Sequence, residues 1–164
     1  MKNGLAFMTV FTLAVIMLSC KPSLEVGANK AGADSILTGI ERGPCYGKCP
    51  EYRAVIYTTG FAEYYGRRNN PRLGYFQCRL SPEKLAEVKS LMNQYALADA
   101  DSEYVNKYLA DFPAYWLMVR DDKGSRRVHV NHEDPPDNIR DYSSEIDKLV
   151  EGLPWKEITR AGDQ

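Results

Sequence analysis

The chain has 164 residues, room for one ordinary domain plus a leader, and its 44% hydrophobic and 26% charged composition is that of a globular protein. A formal net charge of −1 offers no bulk attraction to nucleic acid, which sets that class of partner aside. No repeat of fixed period and no low-complexity block runs through the chain.

Residues 1–19 open on Lys2, continue through an apolar core from Leu5 to Leu18 and end on Ser19, the plan of a secretory signal peptide. That core is about 14 residues long, short of the roughly 20 that span a bilayer. The ending Ile16-Met17-Leu18-Ser19-Cys20 resembles the lipobox of bacterial lipoproteins. The resemblance implies that Cys20 is acylated and becomes the first mature residue. Lys21, where an Asp would imply inner-membrane retention, implies a place in the outer membrane facing the periplasm. Acyl chains anchor at about 0.8 kcal/mol per buried methylene. Residues 20–35 are then a lipidated cysteine and a flexible tether of small and polar residues.

Ile36 to Glu41 reads as a strand that leads into Arg42-Gly43-Pro44-Cys45-Tyr46-Gly47-Lys48-Cys49-Pro50-Glu51-Tyr52. Outside the cytosol cysteines tend to pair. With Cys20 lipidated, Cys45, Cys49 and Cys78 remain. Alternation along Gly74 to Leu80 puts Cys78 on one face with Phe76 and Leu80, so it is expected to be a buried free thiol. Cys45 and Cys49, with Gly47 to turn the chain, are the expected disulfide, and so short a loop gains about 2 kcal/mol from an unstrained bridge. A structural clamp is the first reading of it. A redox-active pair, a metal site completed by a histidine and a binding loop are the others. The C-x-x-x-C spacing is not the C-x-x-C of thioredoxin-like sites, zinc would need a second ligand pair, and the C-x-x-C-H of c-type haem is missing. Neither a metal nor a cofactor is therefore expected. The run from Ile40 to Tyr52, with Gly60 and a later apolar pair of strands, resembles an uncharacterised domain family of bacterial lipoproteins over roughly residues 36–155. The resemblance implies domain boundaries and an envelope location, and no chemistry.

Tyr52 to Thr58 alternates, with Tyr52, Ala54 and Ile56 opposite Arg53, Val55 and Tyr57. Thr59-Gly60 turns the chain, Phe61 to Tyr65 returns as a hairpin partner, and Leu73 to Leu80 is a fourth strand. Arg67 to Arg72 between them reads as a basic loop, either solvated or touching anionic headgroups or cell-wall polymer. Ser81-Pro82-Glu83 starts a helix with Leu85, Val88, Met92 and Tyr95 on its apolar face. Asp99, Asp101 and Glu103 lack the rest of an EF-hand pattern and read as a solvated connection. Tyr115 to Arg120 and Arg127 to Asn131 flank a hairpin turn at Asp121 to Ser125. His129 and His132, three apart on a continuing strand, would point to opposite faces, against joint metal ligation. Asp137 is the expected cap of a second helix that buries Ile139, Tyr142, Ile146, Leu149 and Val150, ends at Gly152 and Pro154, and is followed by Trp155 as a lid.

The expected fold is one α+β domain over residues 36–158, with a C-terminal tail at 159–164. Its order is ββββαββα, with a mostly antiparallel sheet of about six strands and both helices on one face. The other face would carry residues such as Arg53, Tyr57, Tyr75 and Gln77. No serine stands in a nucleophile-elbow context, and no catalytic residue is assigned. The leading expectation is a lipid-anchored, non-catalytic binding or structural module whose partner is an envelope protein or a glycan. The chain's 11 tyrosines predict a contiguous exposed Tyr/Arg patch under that reading. The alternative is a thiol–disulfide redox protein using Cys45 and Cys49.

Overall fold

The computed structural model describes residues 35–109 and 112–159. Strands β1 (Ile36–Arg42), β2 (Glu51–Tyr57), β3 (Phe61–Arg68) and β4 (Gly74–Arg79) precede helix α1 (Pro82–Gln94). A short 3-10 turn (Leu97–Asp99), β5 (Glu103–Val105), β6 (Tyr115–Asp121), β7 (Gly124–Asn131), α2 (Asp137–Glu151) and β8 (Lys156–Ile158) follow. All the strands join one 8-stranded sheet in the order β5-β7-β6-β1-β2-β3-β4-β8. The pairings are antiparallel except β5 with β7, which is parallel. The sheet is thus larger than the expected six strands, and it is mixed. The two additions, β5 and β8, are three-residue edge strands. Alternation needs about four residues to register, so neither stood out in the sequence. No helix among the described residues is long and apolar enough to cross a membrane.

Strand alternation decides which residues enter the core. Ile40, Ala54, Ile56, Leu117, Val119, Val128 and Val130, all fully buried, form one cluster with Val88 and Met92 of α1 and with Ile139, Tyr142, Ile146 and Val150 of α2. Both helices therefore pack on the same sheet face. Ser81 caps α1, its hydroxyl accepting from the Lys84 N–H at 3.2 Å. The expected cap of α2 is different. Asp137 is the first helical residue after Pro136 and makes no capping bond; its carboxylate instead takes Arg140 at 2.7 Å one turn on. Trp155 does fold back as a lid, its ring 5.4 Å from Tyr64 and its Nε1 donating to the Val150 carbonyl at 2.7 Å.

One buried polar bond docks α2. The Thr38 hydroxyl donates to the Met118 carbonyl at 3.0 Å and shares a 2.5 Å hydrogen bond with the Tyr142 hydroxyl. At the far end of β3, the segment after the strand lies directly on Gly66, where a Cβ would stand 1.6 Å from the Arg72 carbonyl oxygen. No side chain fits there without moving backbone. Gly66→Ala is therefore expected to cost roughly 3 kcal/mol, the upper range of overpacking effects, and to lower the urea midpoint correspondingly. An unchanged midpoint would mean that residues 70–73 do not close over β3.

Candidate binding face and the clamped end

Both helices lie on one face of the sheet, and no helix among the described residues lies on the other, the open face. On it, Ile36, Val55, Tyr57, Phe61 and Met118 form a small apolar cluster toward one end. The centre is polar and aromatic. In register across neighbouring strands stand His129, Trp116, Glu41, Arg53, Tyr65 and Tyr75, each directly opposite the next. The row runs without a gap from β7 to β4. His129 and Trp116 stack at 5.0 Å with 6° between their planes, and Tyr65 and Tyr75 stack at 4.2 Å and 12°.

Glu41 ties the row together. Arg67 donates to its Oε1 at 2.9 Å and Arg127 to its Oε2 at 3.0 Å. Each arginine crosses an aromatic ring on the way, Arg67 at 5.6 Å over Tyr65 and Arg127 at 5.2 Å over Trp116. Cation–π contact and ion pairing thus hold both guanidiniums in place. Arg53, beside Glu41, is exposed and makes no ion pair among the described residues. The Tyr57 hydroxyl donates to Glu63 at 2.6 Å, so this second carboxylate is also engaged.

The clamped end lies at the other side of β1. Cys45 and Cys49 form a disulfide with Cα atoms 5.7 Å apart. The loop they close is pinned on both sides, by the Gly43 N–H to the Ala114 carbonyl at 3.0 Å and by Asn69 Nδ2 to the Cys49 carbonyl at 3.2 Å. Its tip, Tyr46, is 94% exposed. Arg42 and Tyr52, paired across β1 and β2 at the base of the loop, both reach Asp147 of α2. Arg42 donates to Oδ2 from Nε at 3.2 Å and from Nη2 at 2.5 Å, and the Tyr52 hydroxyl donates to Oδ1. Burial and the adjacent Asp147 carboxylate push the Tyr52 phenol far above its ordinary value. Burial opposes the charge of Arg42, and Asp147 more than compensates, so its pKa is raised as well. The Arg42 guanidinium also lies 4.5 Å over the Tyr115 ring. Both Asp147 oxygens are engaged, which makes this a tie between the clamp and α2.

The other residues singled out from sequence fall as follows. Cys20 lies outside the described residues. Cys78 of β4 is a free thiol, opposite Ala62 of β3 and buried in the core at 7% exposure. His132 is not on a continuing strand, because β7 ends at Asn131; its Nδ1 accepts from the Asp134 N–H at 3.0 Å. Asp99, Asp101 and Glu103 are all exposed, as a solvated connection requires, but Asp99 ends the 3-10 turn and Glu103 begins β5. Arg67 and Arg68 belong to β3, where a bulge opposite Glu51 and Tyr52 extends the strand and pairs Arg68 with Glu51 at 2.6 Å. Sequence reasoning missed Glu41, Trp116, Arg127 and Asp147. The first three occupy outward positions of strands whose inward neighbours were recognised as core, which is the one signal that could have found them.

A family model for a domain of unknown function, DUF6438, matches residues 37–150. No curated protein matches the chain, and no solved structure does.

Burial pushes the Cys78 thiol from its ordinary 9.0 up to about 11. The unfolded chain loses this proton first, so the stability the thiol contributes is complete below pH 9 and is lost as pH rises through 11. The raised phenols of Tyr52 and Tyr142 extend the loss above about pH 10. Urea-derived stability of the wild type should fall by about 1 kcal/mol per pH unit between pH 9 and 10, and Cys78→Ala should flatten that slope. Equal slopes in the two proteins would place the thiol in contact with water.

Proposed function

We propose that this chain, which belongs to the DUF6438 family of unknown function, is a lipid-anchored, non-catalytic binding module of the bacterial cell envelope with the open sheet face as its recognition surface. The observation that carries the reading is the unbroken row from His129 to Tyr75 with arginines locked over its rings. Tyrosine, tryptophan and arginine are the residue types enriched where proteins recognise partners. A sheet face that only needed solvating would not require a carboxylate to hold two arginines across aromatic rings.

The leader and Cys20 supply the anchor under this reading, and residues 21–35 the tether that lets the face reach its partner, an envelope protein or a glycan. The place is the outer membrane, facing the periplasm. The Cys45–Cys49 bond then acts as a clamp that fixes Arg42 and Tyr52 against Asp147.

The test is sedimentation of the soluble domain, starting after Cys20, with purified cell envelopes. The wild type is expected to pellet with them. Trp116→Ala combined with Tyr65→Ala should release it, and Glu87→Ala combined with Lys89→Ala on α1 should not. Equal pelleting of all three would remove the open face from the function. For the anchor, Cys20→Ala in the full chain is expected to move the protein from the membrane fraction to the soluble one. A Cys45–Cys49 bond that resists reduction to below about −300 mV fits the clamp, and one that reduces near about −200 mV would move the function to thiol–disulfide exchange.

A further inference from the structure

Charge on the open face is not distributed as it is on the whole chain. β8 contributes Lys156 to it, β4 Arg79, β2 Arg53, β6 Arg120 and β7 Arg127, as strand pairing requires, and β3 contributes Arg67 from its bulge, through its contacts with Glu41 and Tyr65. Its strand carboxylates are Glu41, Glu63 and Glu103, and Glu51 and Arg68 neutralise one another at the bulge. A chain of net charge −1 thus presents a face with an excess of positive charge spread from one side to the other. At the centre, Arg53 and Arg67 line, with Tyr65, Tyr75 and the Glu63 that takes the Tyr57 hydroxyl, a hollow of about 200 Å³. With strands about 4.8 Å apart, the cations are distributed over roughly 30 Å.

We infer that this face binds an acidic polysaccharide, a sugar chain carrying repeated carboxylates, laid across the strands. The inference rests on the recognition reading above and names its ligand class. A single small anion would need convergent cations, whereas one cation from nearly every strand suits a repeating polyanion. Apolar protein partners are disfavoured, because protein interfaces are depleted of charge at their centre and this face is charged at its centre. Strand addition has only three-residue edges to use, at β5 and β8. Nucleic acid would need free aromatic faces for base stacking. Here the rings of Tyr65 and Tyr75 cover each other, as do those of Trp116 and His129, and arginines lie over Tyr65 and Trp116. The Tyr65 hydroxyl and the ring N–H groups of Trp116 and His129 lie at the edges of these stacks, and such groups suit sugar hydroxyls.

The full chain, held in a neutral detergent, is titrated with polygalacturonate, with dextran, with poly-L-glutamate and with single-stranded oligo-dT. Polygalacturonate is expected to bind and dextran not to. The polypeptide and the oligonucleotide are expected to bind at least about tenfold more weakly, since they lack sugar hydroxyls or demand free ring faces. Arg53→Ala, which removes no ion pair among the described residues and is expected to leave the urea midpoint unchanged, should weaken polygalacturonate roughly fivefold, and Arg53→Ala with Arg127→Ala further. Added salt should weaken the wild type more steeply than the double variant. Equal affinity for poly-L-glutamate would reduce the site to charge alone and overturn the inference, and preference for oligo-dT would replace it with nucleic-acid binding. Absence of polygalacturonate binding by a domain that still pellets with envelopes through Trp116 and Tyr65 overturns the ligand class and keeps the recognition face. If that pelleting is absent too, both fall.

Discussion

The structure depends on β1, the strand whose two sides do opposite work. Ile40 is fully buried at the middle of the core, a burial worth roughly 2–3 kcal/mol. On the same side Thr38 meets Tyr142 and Arg42 meets Asp147, so α2 is fixed at two points along one strand. Neither contact supplies much net stability. A buried hydrogen bond contributes about 1 kcal/mol, and a partly buried ion pair returns much of its Coulomb energy as desolvation. What they supply is position. An apolar helix stripe can slide or rotate on an apolar sheet, and polar partners of fixed geometry forbid that. On the reverse side of β1, Gly39 has no room for a side chain, since a Cβ would approach the Ala54 carbonyl oxygen to 2.4 Å. Glu41, two residues on, stands alone as that strand's charge on the open face.

The clamp passes its effect through this strand. The disulfide closes a loop of sequence separation 4, and so small a loop stabilises only modestly. Its location matters more than its energy. Arg42 and Tyr52 are paired across the strands that the loop joins, and both end on the one carboxylate of α2. Restricting the loop therefore restricts the spacing of the two donors, and with it the seat of the helix. The prolines and glycines that make this run conspicuous in sequence sit in the corner that this bridge closes, between β1 and β2.

Legibility in the sequence followed length and periodicity. The four opening strands, α1 with Val88 and Met92, the β6–β7 hairpin, the buried stripe of α2 and the Trp155 lid could be read because each repeats its pattern over several residues or sits beside an unambiguous turn. β5 and β8 could not, because three residues carry no period, and they pair only where longer strands already present an edge. The start of α2 misled because Asp is a common cap, yet Pro136 occupies the cap and frees Asp137 to pair with Arg140. Arg67 looked like loop because its neighbours are Arg68, Asn69 and Asn70; it is the extra residue of a bulge in β3, inserted between the partners of Glu51 and Tyr52. The disulfide and the buried thiol were legible by counting. The open face was legible only as a set of outward residues, since no local pattern says that Trp116 will stand opposite Glu41 and His129.

That last gap has a physical consequence. Taken alone, six of the strands each turn one cation to this face among a few polar, aromatic or apolar residues, while β1 turns Glu41 and β5 Glu103. Sheet register brings the cations of separate hairpins into one field, and the same register sets Glu41 where Arg67 from one side and Arg127 from the other can share it. A shift of one residue in β1 would turn Glu41 toward the core and Ile40 toward solvent, destroying the field and the hydrophobic centre together. The constraint that buries Ile40 is therefore the one that assembles the charged face.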